Sequence, residues 1–289
     1  MARDTRQILI SYKKRKARRR RIFWCCVAVI ILLTVLLFPK KGLVARLYAA
    51  QSQPPPASSQ TEPDTPSTDT QPQEDTPQET TGQNYCYTSP VPQSDPVDDT
   101  YFNDAVFLGD SRTEGMLLLC GLHPAGAFAC KGLMVDTVFT KPAFFVANQK
   151  RTAIDALKYT NFTKVYIMFG INETGWPYNS VFIEKYSQII QAVRQVNPSA
   201  DIYIQQIMPV TQHVSDTHSY IKNQKIAQYN TLLAQLAAEN QVYYVDVANA
   251  VAPSGAPLPE DAATDGIHLN KTYCQRWLDY LKTHTVLTD

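Results

Sequence analysis

The stretch Asp104-Ala-Val-Phe-Leu-Gly109-Asp110-Ser111 decides how the chain is read. Four apolar residues run straight into Gly-Asp-Ser, the pattern of a buried strand that ends in a tight turn. Residues 112–120 then read as a helix. Downstream, the apolar runs 164–169, 201–207 and 241–246 repeat the strand signal, the first ending at Gly170-Ile-Asn172-Glu173 and the second halted by Pro209. Between and after them lie helical patterns over 152–159, 180–196, 219–239 and 271–284. Strands that alternate with helices predict an α/β fold, a parallel sheet covered on both faces. In such sheets ligands bind beyond the C-terminal strand ends, where Ser111 and Asn172 both fall.

This pattern begins near Tyr101, and the composition before it is different. Residues 1–46 hold thirteen Lys and Arg against the single acid Asp4. Residues 47–84 hold six acids and no base, and residues 85–289 carry a net charge of −5, so that the whole chain stands at +1. A mildly acidic folded region excludes a basic nucleic-acid-binding face and predicts no nucleic-acid partner. The run 22–38 is apolar except for Thr34, and the cluster from Lys13 to Arg21 precedes it. It reads as a transmembrane signal anchor in preference to a cleaved signal peptide, with the basic tail 1–21 in the cytoplasm and the C-terminal bulk outside. Residues 39–100 read as a polar, proline-rich linker; its 51–84 portion has no Val, Ile, Leu, Met or aromatic residue and predicts a disordered tether. Tyr85, Tyr87 and Val91 place the end of this linker on the domain surface. Residues 101–289 form the expected catalytic domain. The predicted localisation is therefore a single-pass cell-membrane protein of a bacterial envelope.

Cys25 and Cys26 fall within the apolar run. The other four cysteines, Cys86, Cys120, Cys130 and Cys274, allow two disulfides in three pairings or four free thiols. No Cys-x-x-Cys spacing supports zinc, and no metal site is expected.

A serine hydroxyl becomes a nucleophile when a base takes its proton, usually a histidine oriented by an acid, and the oxyanion that forms needs donors in place. Ser111, at a strand exit and helix start, fits the nucleophile. Of the five histidines, His268 alone has an acid, Asp265, three residues before it in a turn that leads into a helix. His123 follows the first helix, His213 and His218 lie in a polar loop, and His284 is near the chain end. The Asn172 amide is a candidate oxyanion donor.

Together these blocks resemble the SGNH (GDSL-like) hydrolase family. Gly109-Asp110-Ser111 resembles its first block, Gly170-Ile-Asn172-Glu173 its third and Asp265-Gly-Ile-His268 its last. Gly132, with Gly126 as the alternative, stands for the second. Arg112 replaces the Leu of the family pattern, and Glu173 replaces an Asp at a position that is not catalytic. The resemblance implies a flavodoxin-like three-layer α/β/α sandwich. It implies Ser111 as nucleophile, His268 as general base and then acid, and Asp265 as the orienting acid. The N–H groups of Ser111 and Gly132 and the Asn172 side chain would form the oxyanion hole. Asp110 braces the loop, and no cofactor is implied. The expected activity is a serine esterase that passes through an acyl-serine and acts on O-acetylated cell-envelope carbohydrate. Acyl transfer to a cell-wall or capsular sugar and a non-catalytic scaffold on the same fold are the alternatives. Trp176 and Tyr178 are candidates for stacking on a sugar ring, with plain packing as the other reading.

Overall fold

Continuous apolar residues in short runs leave two faces to cover, and the chain covers both. The computed structural model describes residues 85–286. In chain order its elements are β1 (Ala105–Gly109), α1 (Ser111–Cys120), β2 (Gly126–Ala129), β3 (Phe144–Val146), β4 (Gln149–Arg151), α2 (Ala153–Leu157) and β5 (Lys164–Met168). They continue with α3 (Asn179–Val196), β6 (Asp201–Gln205), α4 (Gln212–Thr217), α5 (Asn223–Asn240), β7 (Tyr243–Val245) and α6 (Lys271–Lys282). Five strands form one sheet in the order β2-β1-β5-β6-β7, every pair parallel. Counting only those five, the order is 2-1-3-4-5, the doubly wound arrangement of flavodoxin-like proteins. The short strands β3 and β4 form a separate antiparallel hairpin.

Register sets what each face offers. Phe107, Tyr166 and Tyr203 are cross-strand partners in turn, and Tyr203 pairs with Tyr243. Their rings form a ladder with centroids 5.0, 4.6 and 4.8 Å apart. Met116 and Leu117 of α1 and Trp277, Leu278 and Leu281 of α6 join that core. On the opposite face Val106, Leu108, Val165, Ile167, Ile202 and Ile204 pack with α3 and α5. Each large side chain so buried contributes about 1.5–3 kcal/mol, and aromatic pairs add about 0.5–1.5 kcal/mol beyond their area. Trp277 also donates from Nε1 to Gln205 Oε1 at 2.8 Å, tying α6 to the end of β6.

Several expected boundaries shift. Strand β2 carries no strand signal of its own: Gly126-Ala-Phe-Ala129 is four residues of mostly weak strand formers and gains its place by pairing with β1. The helix expected over 219–239 begins at Asn223, and a separate short helix, α4, precedes it. Lys222 is extended, and Asn223 both donates to and accepts from the Val210 backbone at 2.9 Å, closing the loop between. The folded body also begins before residue 101. Val91 is buried, and its N–H donates to Tyr244 O at 2.8 Å. Ser94 and Val97 N–H groups bond to Thr283 and Lys282 carbonyls, and Tyr85 and Tyr87 pack on Tyr243. Residues 85–100 therefore extend the domain along β7 and α6. Cys86, Cys120, Cys130 and Cys274 are all free thiols. The basic tail 1–21, the anchor 22–38 and the linker up to residue 84 lie outside the described residues. Among the described residues no helix is long and apolar enough to cross a membrane.

The turn from β1 into α1 sets the position of everything at the sheet's C-terminal edge. A Cβ on Gly109 would overlap the Thr113 side chain and come within 3.1 Å of Met168 O. Gly109→Ala is expected to cost about 1–3 kcal/mol through overpacking. Urea unfolding should show a lower midpoint at unchanged slope; an unchanged midpoint would mean that α1 has room to spare.

Candidate active site

Asp110 is the N-cap of α1, extended in backbone, and its Oδ1 accepts from Arg112 N–H at 2.9 Å. That bond leaves Ser111 as the first helical residue, its N–H among those with no intrahelical acceptor and at the positive end of the helix dipole. Asp110 is fully buried, and burial pushes its carboxyl up to about 6 against the pull of the Arg112 N–H, the Arg112 guanidinium and the His268 imidazole. Held this way, it braces the turn.

Residues 265–268 form a turn closed by their own acid. Asp265 Oδ1 accepts from the N–H groups of Ile267 at 3.0 Å and His268 at 2.8 Å. Gly266 adopts φ +71, and a Cβ there would press within 2.5 Å of Thr211 Oγ1 and Val214 Cγ2, so the left-handed turn and the packing against α4 both require glycine. Asp265 Oδ2 lies 2.6 Å from His268 Nδ1, and His268 Nε2 lies 2.8 Å from Ser111 Oγ. Because the ionised carboxylate only accepts, Nδ1 carries the proton and Nε2 is left to accept the serine O–H. Partial burial pushes the Asp265 carboxyl up, but the His268 N–H, the imidazole and the Ile267 N–H together hold it down at about 2. The result is a directed relay from Asp265 through His268 to Ser111, able to draw a proton from the hydroxyl.

Strands β2 and β5 flank β1 in the sheet, so the loops that follow them leave its C-terminal edge on either side of the turn bearing Ser111. Gly132, at φ +69, sits in the turn after β2, and its N–H has no acceptor among the described residues. Asn172 follows Gly170, whose φ of +136 and whose contact with Ile207 leave no room for a side chain. Asn172 Nδ2 donates to Leu133 O at 3.1 Å, leaving its second N–H for a ligand and tying this loop to the Gly132 turn. Of the two aromatic candidates, Trp176 is half-buried against the α3/α5 core, whereas Tyr178 is exposed. Gly126, the alternative for the second block, lies inside β2 and paired with Val106.

Other residues hold the site together without a signal in the sequence. Arg112 is buried and donates from Nη1 to Met208 O at 2.6 Å and from Nη2 to Pro209 O at 3.2 Å, fastening α1 to the loop after β6. Tyr220 lays its ring over Gly175, where a Cβ would meet it at 3.2 Å. Segment 211–222 thus spans from the Gly266 turn to the loop after Asn172, because Thr211 N–H also bonds to Gly266 O at 3.0 Å. Among the described residues no group of three His, Cys, Asp or Glu could hold a metal ion. A cavity of about 630 Å³ between α5 and the 247–256 turns contains none of the relay residues. The relay lies at the surface instead, with the His268 and Asp265 side chains 44% and 54% exposed.

Residues 107–275 match the model of the GDSL-like lipase/acylhydrolase family. Among solved structures, the chain is similar to a platelet activating factor candidate from Streptococcus pneumonia. Identity is 21% and TM-score 0.50, over 64% of this chain and 89% of that one. It is also similar to an acylhydrolase candidate from Bacteroides fragilis, at 16% identity and TM-score 0.46 over 67% of this chain and 88% of that one. A third is an SGNH hydrolase candidate from Slackia heliotrinireducens, at 17% identity and TM-score 0.46 over 62% and 97%. At such identities the first of these speaks for the fold. No curated protein matches the chain in sequence.

Asp265→Asn should lower kcat by about three to four orders of magnitude, since the amide favours the wrong imidazole tautomer. The depressed carboxyl also stabilises the fold above its ordinary value of 3.8, and that contribution disappears as pH falls through about 2. Acid unfolding should therefore show a margin of wild type over Asp265→Asn that closes between those two pH values. A margin independent of pH would contradict the assignment of charge.

Proposed function

The chain belongs to the GDSL-like lipase/acylhydrolase family and is an ester hydrolase, and from that premise we propose that Ser111 is its nucleophile, His268 its general base and Asp265 the orienting acid. The carrying observation is the unbroken relay: 2.8 Å from Ser111 Oγ to His268 Nε2 and 2.6 Å from His268 Nδ1 to Asp265 Oδ2.

In this reading Ser111 Oγ attacks the ester carbonyl carbon while its proton passes to His268 Nε2. The carbonyl oxygen takes up the electron pair and is held by the N–H groups of Ser111 and Gly132 and the amide of Asn172. Collapse of the tetrahedral adduct expels the alcohol, which leaves with the proton from His268. A water then repeats the sequence on the acyl-serine: His268 takes its proton, the new adduct collapses, and Ser111 regains the proton as the carboxylic acid departs. Asp265 keeps its charge throughout and stabilises the imidazolium.

The substrate we propose is an O-acetylated carbohydrate of the cell envelope. A relay at the surface suits a small acyl group that projects from a large body. Tyr178, exposed just beyond the Asn172 loop, offers an aromatic face to a sugar ring. The apolar run 22–38, with its basic cluster on the N-terminal side, would hold the domain outside the membrane near such polymers.

A fluorophosphonate probe should label the full-length wild-type chain and leave Ser111→Ala unlabelled, with the variant's unfolding midpoint essentially unchanged. Acetate release from acetylated sugars should fall about 10⁴-fold or more in the same variant. Labelling that does not depend on Ser111 in a folded protein would remove Ser111 as nucleophile.

A further inference from the structure

Glu173 directly follows Asn172 and is wholly buried. Its Oε1 accepts one hydrogen bond, from Val135 N–H at 2.8 Å. Its Oε2 has no partner among the described residues. A carboxylate taken out of water requires a paired cation or several donors, and this one has the Val135 N–H, helped only by its own backbone N–H. The charged groups that act on it most strongly are acids: Asp110 at the end of β1 and Asp136 in the turn after β2. Asp136 itself has a carboxyl oxygen, Oδ1, buried without a partner. The remaining sides are closed by phenols. Tyr229 of α5 donates to Glu173 O at 2.8 Å, and Tyr186 of α3 donates to Ile167 O at 3.1 Å. Burial accordingly pushes the Glu173 carboxyl up to about 8, against the opposing pull of the Val135 N–H.

The same side chain joins the loops that follow β2 and β5, the strands on either side of β1. Val135 lies three residues past Gly132, in the same turn, and Glu173 adjoins Asn172. The Val135-to-Glu173 bond and the Asn172-to-Leu133 bond run in opposite directions across one seam, 2.8 and 3.1 Å long. We propose that Glu173 is a positioning residue: as a neutral carboxylic acid it clamps the turn bearing Gly132 to the loop bearing Asn172 and so fixes the oxyanion hole. Ionisation acts against catalysis in two ways. It draws water toward the buried seam and loosens the clamp, and it sets a negative charge close to where the oxyanion forms. This rests on the reading of Ser111, Gly132 and Asn172 given above.

The test is kcat and KM for a short-chain nitrophenyl ester, measured on the purified full-length chain between about pH 6 and pH 10. For a carboxyl that titrates near 8, wild-type kcat should fall about thirtyfold from pH 7 to pH 9.5 with KM nearly constant. Glu173→Gln should keep kcat within about threefold at pH 7 and lose the alkaline fall, because its amide oxygen still accepts from Val135 N–H and never ionises. Glu173→Ala should lower kcat about a hundredfold at every pH. An alkaline fall that persists in Glu173→Gln, or a flat wild-type profile, overturns the proposal. Should Glu173→Gln fail to fold, infrared spectroscopy of the wild type decides. A protonated-carboxyl band at pH 7.5 that disappears in step with kcat supports the clamp, and absence of that band overturns it. If instead the catalytic reading is wrong, no form of the chain hydrolyses the ester at any pH, while the infrared band still reports the state of Glu173.

Discussion

Everything at the reactive edge depends on how closely α1 approaches β1 and β5. Gly109 has no side chain, and Thr113 occupies the space that one would fill. That contact lets the helix start one residue after the capping Asp110, so Ser111 leaves the sheet with its hydroxyl outward and its N–H free. The Arg112 guanidinium, bonded to the Met208 and Pro209 carbonyls, then locks the angle of α1 against the end of β6. A helix displaced by one turn would move Ser111 about 5 Å along its axis, far beyond the reach of a 2.8 Å hydrogen bond to His268. The close approach at a single glycine therefore governs whether residues 157 positions apart in the chain can share a proton.

The electrostatics of the site follow from what surrounds each acid. Asp265 stands half-exposed, accepts two N–H groups and the imidazole, and stays charged down to about pH 2. Asp110 is buried, receives one N–H and lies in the field of Arg112 and the His268 ring, and burial pushes it up to about 6. Glu173 is buried, with the Val135 N–H, its own backbone N–H and two acidic neighbours, and it titrates near 8. Burial separates Asp265 from the other two, and the missing cation and added acidic neighbours separate Glu173 from Asp110. Under the proposed mechanism each value suits its location: a charge behind the imidazole would steady the imidazolium, whereas a charge beside the Gly132 and Asn172 loops would oppose an oxyanion held there.

The strands β1, β5, β6 and β7 are legible because their apolar runs are continuous and end at glycine, proline or a polar turn. Strand β2 is not, because Gly126-Ala-Phe-Ala129 has little preference of its own and is held by its register with Val106 to Gly109. The same distinction divides the site. Ser111, Asn172 and the Asp265–His268 pair announce themselves by local position, at strand exits and before a helix start, and Gly132 by resemblance alone. Arg112 and Tyr220 give no such sign. Arg112 works through carbonyls 96 and 97 residues away, and Tyr220 through the absence of a side chain on Gly175. Glu173 was legible as an acid next to Asn172, but its state depends on burial, which spacing does not reveal.

The openness of the relay constrains how selectivity can arise. With the His268 and Asp265 side chains about half-exposed, the proposed mechanism would leave discrimination to the segments that wall the relay. One wall is the Gly132 turn, pinned by Glu173 and Asn172. The other is segment 211–222, which touches the Gly266 turn at Thr211 and Gly175 at Tyr220 and is closed at its base by the Asn223–Val210 pair. This second wall bears on both the histidine turn and the loop that carries the amide donor. A change in its packing would therefore move the His268 turn and the Asn172 loop together, and under the proposed mechanism it would shift base and oxyanion donor at once without touching the reacting atoms.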